Sequence, residues 1–150
     1  MRKSLLYMII LAAVLVLPTK ATDVGKLRPV QTLAVYKDGT DYVIETDTKD
    51  AGRGESIQLA IMDLKATTPG IIYLDTAQYL LVRHESDLEE LQHHIKDSVQ
   101  VYVYEGVPPM EKVSQFLASH AAGISLEQWK KGTKLPLLDC TKERMKIFVK

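Results

Sequence analysis

Strand-type and helix-type segments alternate between Val30 and Val149, and that alternation restricts the fold more than any other feature of the chain. Val30–Tyr36 (VQTLAVY) is rich in β-favouring residues. Asp38–Gly39 follows, a pair that accepts the positive φ of a tight hairpin turn. Asp41–Thr48 returns as a second strand, with Tyr42, Ile44 and Thr46 on one face and Val43, Glu45 and Asp47 on the other. Lys49–Gly54 (KDAGRG) reads as a loop. Ile57, Ala60, Ile61 and Leu64 are spaced as one apolar face of a helix, with Ser56 placed to cap it. Thr67–Gly70 ends that helix.

The second half repeats the alternation. Ile71–Leu74 and Tyr79–Val82 are apolar β-type runs, one bent strand or two short ones, hydrophobic enough to be buried on both faces. Ser86–Asp97 reads as a helix with Leu88, Leu91 and Ile95 inward and a capping box from Ser86 to Glu89. Val99–Tyr104 (VQVYVY) alternates strictly, with Val99, Val101 and Val103 on one side and Gln100, Tyr102 and Tyr104 on the other. Pro108–Pro109 starts a third helix that buries Met110, Val113, Phe116 and Leu117. Ser125–Lys130 is a short helix carrying Trp129. Lys134–Cys140 and Arg144–Val149 form a hairpin around Thr141–Glu143. The expected fold is α+β: a single mixed β-sheet with three main helices and a β-hairpin at each end.

Ahead of this domain stands an export leader. Met1–Lys3 is basic, Leu5–Leu17 is apolar, and Thr19 and Ala21 are the small residues of a cleavage site. The apolar run has about 13 residues, short of the roughly 20 that a membrane span needs. Residues 1–21 are therefore expected to be a signal peptide cut after Ala21. An uncleaved N-terminal anchor is the alternative, and only then would the protein hold a membrane. Residues 22–150 are expected to form one extracytoplasmic domain. The chain's 19 basic and 19 acidic residues balance, which leaves no basic field for nucleic acid. The one cysteine, Cys140, allows no internal disulfide and sits in an apolar stretch, as a buried, inert thiol does.

Catalytic motifs are not evident. Gly52–Arg53–Gly54–Glu55–Ser56 precedes a helix start, where exposed amides could hold an anion with Arg53 assisting. The spacing is neither GxxxxGK[ST] nor GxGxxG. A tight loop before a capped helix accounts for it equally. Adjacent His93 and His94 point about 100° apart on a helix and cannot readily share a metal. His84, Glu85 and Glu89 read as solvated surface or a partial ligand set. Asp75 ends an apolar strand, a place that α/β enzymes use, although Asp-Thr also makes turns. The seven tyrosines, Tyr102 and Tyr104 above all, suit either half-buried sheet packing or an aromatic recognition face. No catalytic residue, metal site or cofactor is assigned.

The order of motifs resembles the N-terminal region of the Ger(x)C family, the C subunit of spore germinant receptors. The similarity runs from Val30 to Leu117. It is carried by Val35–Tyr36–Lys37–Asp38–Gly39, by Gly52–Arg53–Gly54–Glu55–Ser56 through Ala60 and Leu64, by Ile72–Val82, by Leu88–Ile95 and by Val99–Gly106. Family members are lipoproteins with a cysteine after the signal and continue into further domains. Here Thr22 stands at that place, so no lipid anchor is expected. The resemblance implies a secreted, non-catalytic binding or assembly module linked to sporulation or germination, with a protein partner in the envelope or spore membrane. A small extracytoplasmic hydrolase or ligand-binding protein, and a structural envelope protein, are the alternatives. Mass spectrometry of the native protein is expected to find Thr22 at the N-terminus; an intact Met1 would replace release with anchoring.

Overall fold

A computed structural model describes residues 24–120, 122–142 and 144–149. The leader, its cleavage site and Glu143 of the terminal turn lie outside the described residues. In chain order the strands are β1 (Leu27–Pro29), β2 (Thr32–Asp38), β3 (Asp41–Thr46), β4 (Ala51–Gly54), β5 (Ile71–Tyr73), β6 (Tyr79–Val82), β7 (Gln100–Gly106), β8 (Ile124–Ser125), β9 (Leu137–Cys140) and β10 (Lys146–Phe148). The helices are α1 (Ile57–Thr67), α2 (Leu88–Leu91), α3 (Met110–Ser119) and α4 (Leu126–Lys130).

The fold is α+β, built on one mixed sheet ordered β10-β9-β7-β6-β2-β3-β4. Its centre is parallel: β2, β6, β7 and β9 share a direction. Antiparallel β3 and β4 extend one wing and β10 the other. β8 pairs with Gln100 and Val101 at the start of β7, and β9 pairs with Val103–Gly106 on the same flank. The hairpin between β2 and β3 turns on Gly39 at φ 66°. A positive φ at the first central residue is the pattern of a type II′ turn.

Two apolar clusters pack on this sheet. Leu33, Val35, Ile44, Leu80, Val82 and Val101 meet Ile57, Ala60, Ile61 and Leu64 of α1, Leu88 and Leu91 of α2, and Leu126 of α4. On the opposite face Ala34, Leu81, Tyr102, Tyr104, Leu138 and Cys140 meet Val113 and Leu117 of α3. Alternation along each strand divides its side chains between the two clusters.

Several segments differ from the sequence-based expectation. The second hydrophobic run is two strands in two sheets. β6 joins the main sheet, whereas β5 pairs with β1 as a separate parallel pair. The expected helix Ser86–Asp97 is one 3-10 turn, Glu85–Asp87, followed by the short α2. Leu88, Leu91 and Ile95 are buried as their spacing requires, but turns after Leu91 deliver Ile95. Ser86 lies inside the 3-10 turn, and no side chain caps α2. A capping box forms instead at α4, between Ser125 and Gln128.

The expected loop Lys49–Gly54 ends in a strand. β4 pairs with β3 and lies directly beneath α1. A Cβ on Gly54 would stand 2.6 Å from the Ala60 amide nitrogen, and one on Gly52 would press still harder on the Ala60 carbonyl and the Leu64 amide. These contacts are with helix backbone, which cannot yield as a side-chain tip can. Gly52→Ala and Gly54→Ala are each expected to lower the unfolding free energy by about 2 kcal/mol through overpacking. Urea denaturation checks this, and wild-type stability in both variants would refute the close approach.

Candidate functional site

Of the residues proposed for an anion, Arg53 and Gly54 line one open concavity of about 840 Å³ together with the carboxylates Asp41, Glu55 and Asp63. Gly52 and Gly54 face α1, while Arg53 between them points to the other side of the sheet. The Arg53 guanidinium is bonded to Asp38 and lies 3.9 Å from Asp41. Its backbone amide donates to Asp63 Oδ2 of α1 (2.9 Å). Ser56 caps α1 by accepting from the Leu59 amide (3.2 Å). Ion pairing, capping and packing thus occupy the segment.

The other sequence candidates are also placed. Asp75 is exposed in a 3-10 turn after β5, outside the main sheet. It faces a polar cavity of about 200 Å³ shared with Lys65 and His94. Glu85 accepts from Trp129 Nε1 (2.6 Å), which ties α4 to the turn after β6. Among the described residues no His, Cys, Asp or Glu group is arranged to hold a metal. Tyr102 and Tyr104 do share a face, but that face lies in the cluster under α3, where they are 0% and 2% exposed. Their hydroxyls are pushed up by burial, that of Tyr102 to about 12. Cys140 is a free, buried thiol in the same cluster, and burial pushes it up to about 11. At that value it is scarcely nucleophilic at neutral pH.

One buried carboxylate has no sequence signature. Asp87 is 5% exposed, and its Oδ2 finds no hydrogen-bond partner. It sits just beyond the C-terminal end of β6. Burial drives its carboxyl above the ordinary range, while His84, Lys37 and Tyr42 pull the other way. Lys37 itself lies over the Tyr42 ring, 4.6 Å from its centroid.

Two further concave surfaces lie beside α3. The first holds about 440 Å³ between the β3–β4 turn and the start of α3. Ala51, Pro109 and Met110 give it apolar walls, and Glu45, Asp50 and Lys112 give it charge. Lys49 and Glu111 bridge across it at 2.5 Å. Lys49 has a φ of 68°, and Thr46, Thr48 and Asp50 cross-bond the turn that presents it. The second is a groove of about 530 Å³ between the end of α3 and β10, lined by Phe116, His120, Met145, Ile147 and Phe148 among others. Phe116 and His120 stack with centroids 4.2 Å apart, and His120 Nδ1 donates to the Phe116 carbonyl (2.8 Å). This groove runs along the edge strand of the main sheet.

No protein family, curated protein or solved structure matches this chain. Among the described residues no helix is long and apolar enough to cross a membrane.

Asp87 supplies a pH test. A raised folded-state pKa means the acid form is favoured by folding. The carboxyl therefore stabilises the fold below its unfolded pKa, and that contribution is lost as pH rises through the folded value. Asp87→Asn is expected to raise stability at pH 7 by about 1 kcal/mol, with the gain vanishing as pH falls below the ordinary carboxylate range. Urea midpoints across pH measure it; a gain independent of pH would disprove the burial argument.

Proposed function

We propose that this protein is a secreted, non-catalytic binding module that assembles with a protein partner in the envelope or spore membrane. The observation that carries the reading is the contrast between the two edges of the main sheet. At β4 the edge carries two glycines beneath α1 and has its Arg53 amide taken by Asp63. Such devices keep an edge from pairing with another chain. At β10 the edge is bordered by an apolar groove, and Phe148 and Val149 are 48% and 71% exposed. Exposed apolar surface beside an edge that no other described strand pairs with is characteristic of a contact surface. The leader and the resemblance to Ger(x)C proteins support the location and the link to germination.

A second reading, a small-molecule binder, draws on the cavity bridged by Lys49 and Glu111. Its volume of about 440 Å³ falls among those of ligand pockets. A metabolite-dependent thermal shift abolished by Met110→Trp would move the function there.

The full chain, tagged and expressed in its host, is expected to capture a specific envelope protein. Phe148→Glu is expected to lose it, and Met62→Lys, on the exposed side of α1, to retain it. Equal capture by both variants would remove the edge from the interface. Normal sporulation and germination in a deletion strain would overturn the biological role.

A further inference from the structure

We infer that the cavity between the β3–β4 turn and α3 takes a short, free-ended apolar peptide, its ammonium end at Glu45 and its carboxylate end at Lys112. The inference rests on the small-molecule reading of this cavity and adds the class of ligand; it is independent of the edge at β10. A cross-bonded turn frames one side. Thr46 Oγ1 accepts from the Asp50 amide (3.1 Å), and Thr48 Oγ1 donates to Asp50 Oδ2 (2.7 Å). Arg28 Nη1 donates to both carboxylate oxygens of Asp50 (3.0 and 2.9 Å). These bonds hold Lys49 in the left-handed region, at φ 68°, which a long side chain seldom adopts and glycine adopts freely. What lysine adds over glycine is the ion pair to Glu111 (2.5 Å), which joins the turn to α3 across the cavity.

Among the described residues five charged side chains line the cavity: Glu45, Lys49, Asp50, Glu111 and Lys112. Lys49 and Glu111 neutralise each other, and Arg28 neutralises Asp50. One charge of each sign is left, Glu45 on β3 and Lys112 on α3. Glu45 Oε1 accepts from the Tyr36 hydroxyl (2.7 Å), a neutral donor, and no described cation forms an ion pair with this carboxylate. Arg83, which lies over the Tyr104 ring, donates instead to the Gly106 carbonyl (2.9 Å). Lys112 is exposed and has no ion pair among the described residues, since its neighbour Glu111 is taken by Lys49. Ala51, Pro109 and Met110 supply apolar contact, and the Met110 thioether adapts to side chains of different shape. The complement of this lining is a zwitterion whose charges sit at opposite ends of an apolar body. A free amino acid carries both charges on one carbon, which suits a single wall. A dipeptide sets them about 7 Å apart along extended chain, which suits two. The volume of about 440 Å³ accommodates it.

The probes are valyl-valine, its N-acetyl form, its C-terminal amide and free valine. Amide NMR of the exported, isotopically labelled protein reads their binding. Valyl-valine is expected to shift the amides of residues 45–51 and 110–112. Capping either end should weaken it by about tenfold, and free valine should bind no better than the capped forms. Glu45→Gln, which keeps an acceptor for Tyr36, should weaken valyl-valine by the same factor and leave the N-acetyl form unchanged. Lys112→Gln should weaken valyl-valine equally and leave the amide form unchanged. Absent binding, equal binding of free and capped forms, shifts confined to another surface, or an unchanged affinity in either variant would each overturn the inference. If the peptides fail while a host metabolite still gives the thermal shift that Met110→Trp abolishes, the peptide class alone falls. If no metabolite does, the small-molecule reading falls with it.

Discussion

Tyr79, Leu80, Leu81 and Val82 are all buried, so β6 needs cover on both sides. A strand of that kind belongs inside a sheet with a layer on each face. Leu80 and Val82 look toward α1, α2 and α4, and Tyr79 and Leu81 toward α3. The parallel neighbours β2 and β7 then divide their side chains in the same way. With no disulfide available from the lone Cys140, these two layers hold the domain together through packing.

Local periodicity carried much of this architecture. The alternation of Val99–Tyr104, the turn at Gly39 and the apolar face of α1 could be read directly because each depends on neighbours only a few residues away. β4 could not, because Gly52 and Gly54 remove every strand signal and their reason lies in α1, several residues further on. α2 is short for a related reason. The stripe of Leu88, Leu91 and Ile95 asks only that these side chains be buried, and a turn satisfies it as well as a helix.

The candidate surfaces were less legible than the fold. The burial of Cys140 followed from its apolar surroundings, and the packing role of Tyr102 and Tyr104 was one of two readings their strand pattern allowed. The groove at β10 joins the end of α3 to a strand far along the chain, and an edge is defined only once strand order is known. Asp87 resembles any acidic residue near a helix start until its unpartnered oxygen is seen behind β6.

The route from β7 to β9 has a mechanical consequence. The chain leaves β7, crosses one face as α3, returns through β8 onto the flank it left, and passes over the opposite face as α4 before β9 resumes that flank. Strands therefore hold the chain to β7 both before and after α3, while the helix itself adheres through side chains such as Val113 and Leu117. Lifting α3 would forfeit apolar burial without parting any rung of the main ladder. The molecule consists of a laced sheet between two helical layers, and the α3 layer, held by side-chain packing, borders two of the concave surfaces at its outer margin.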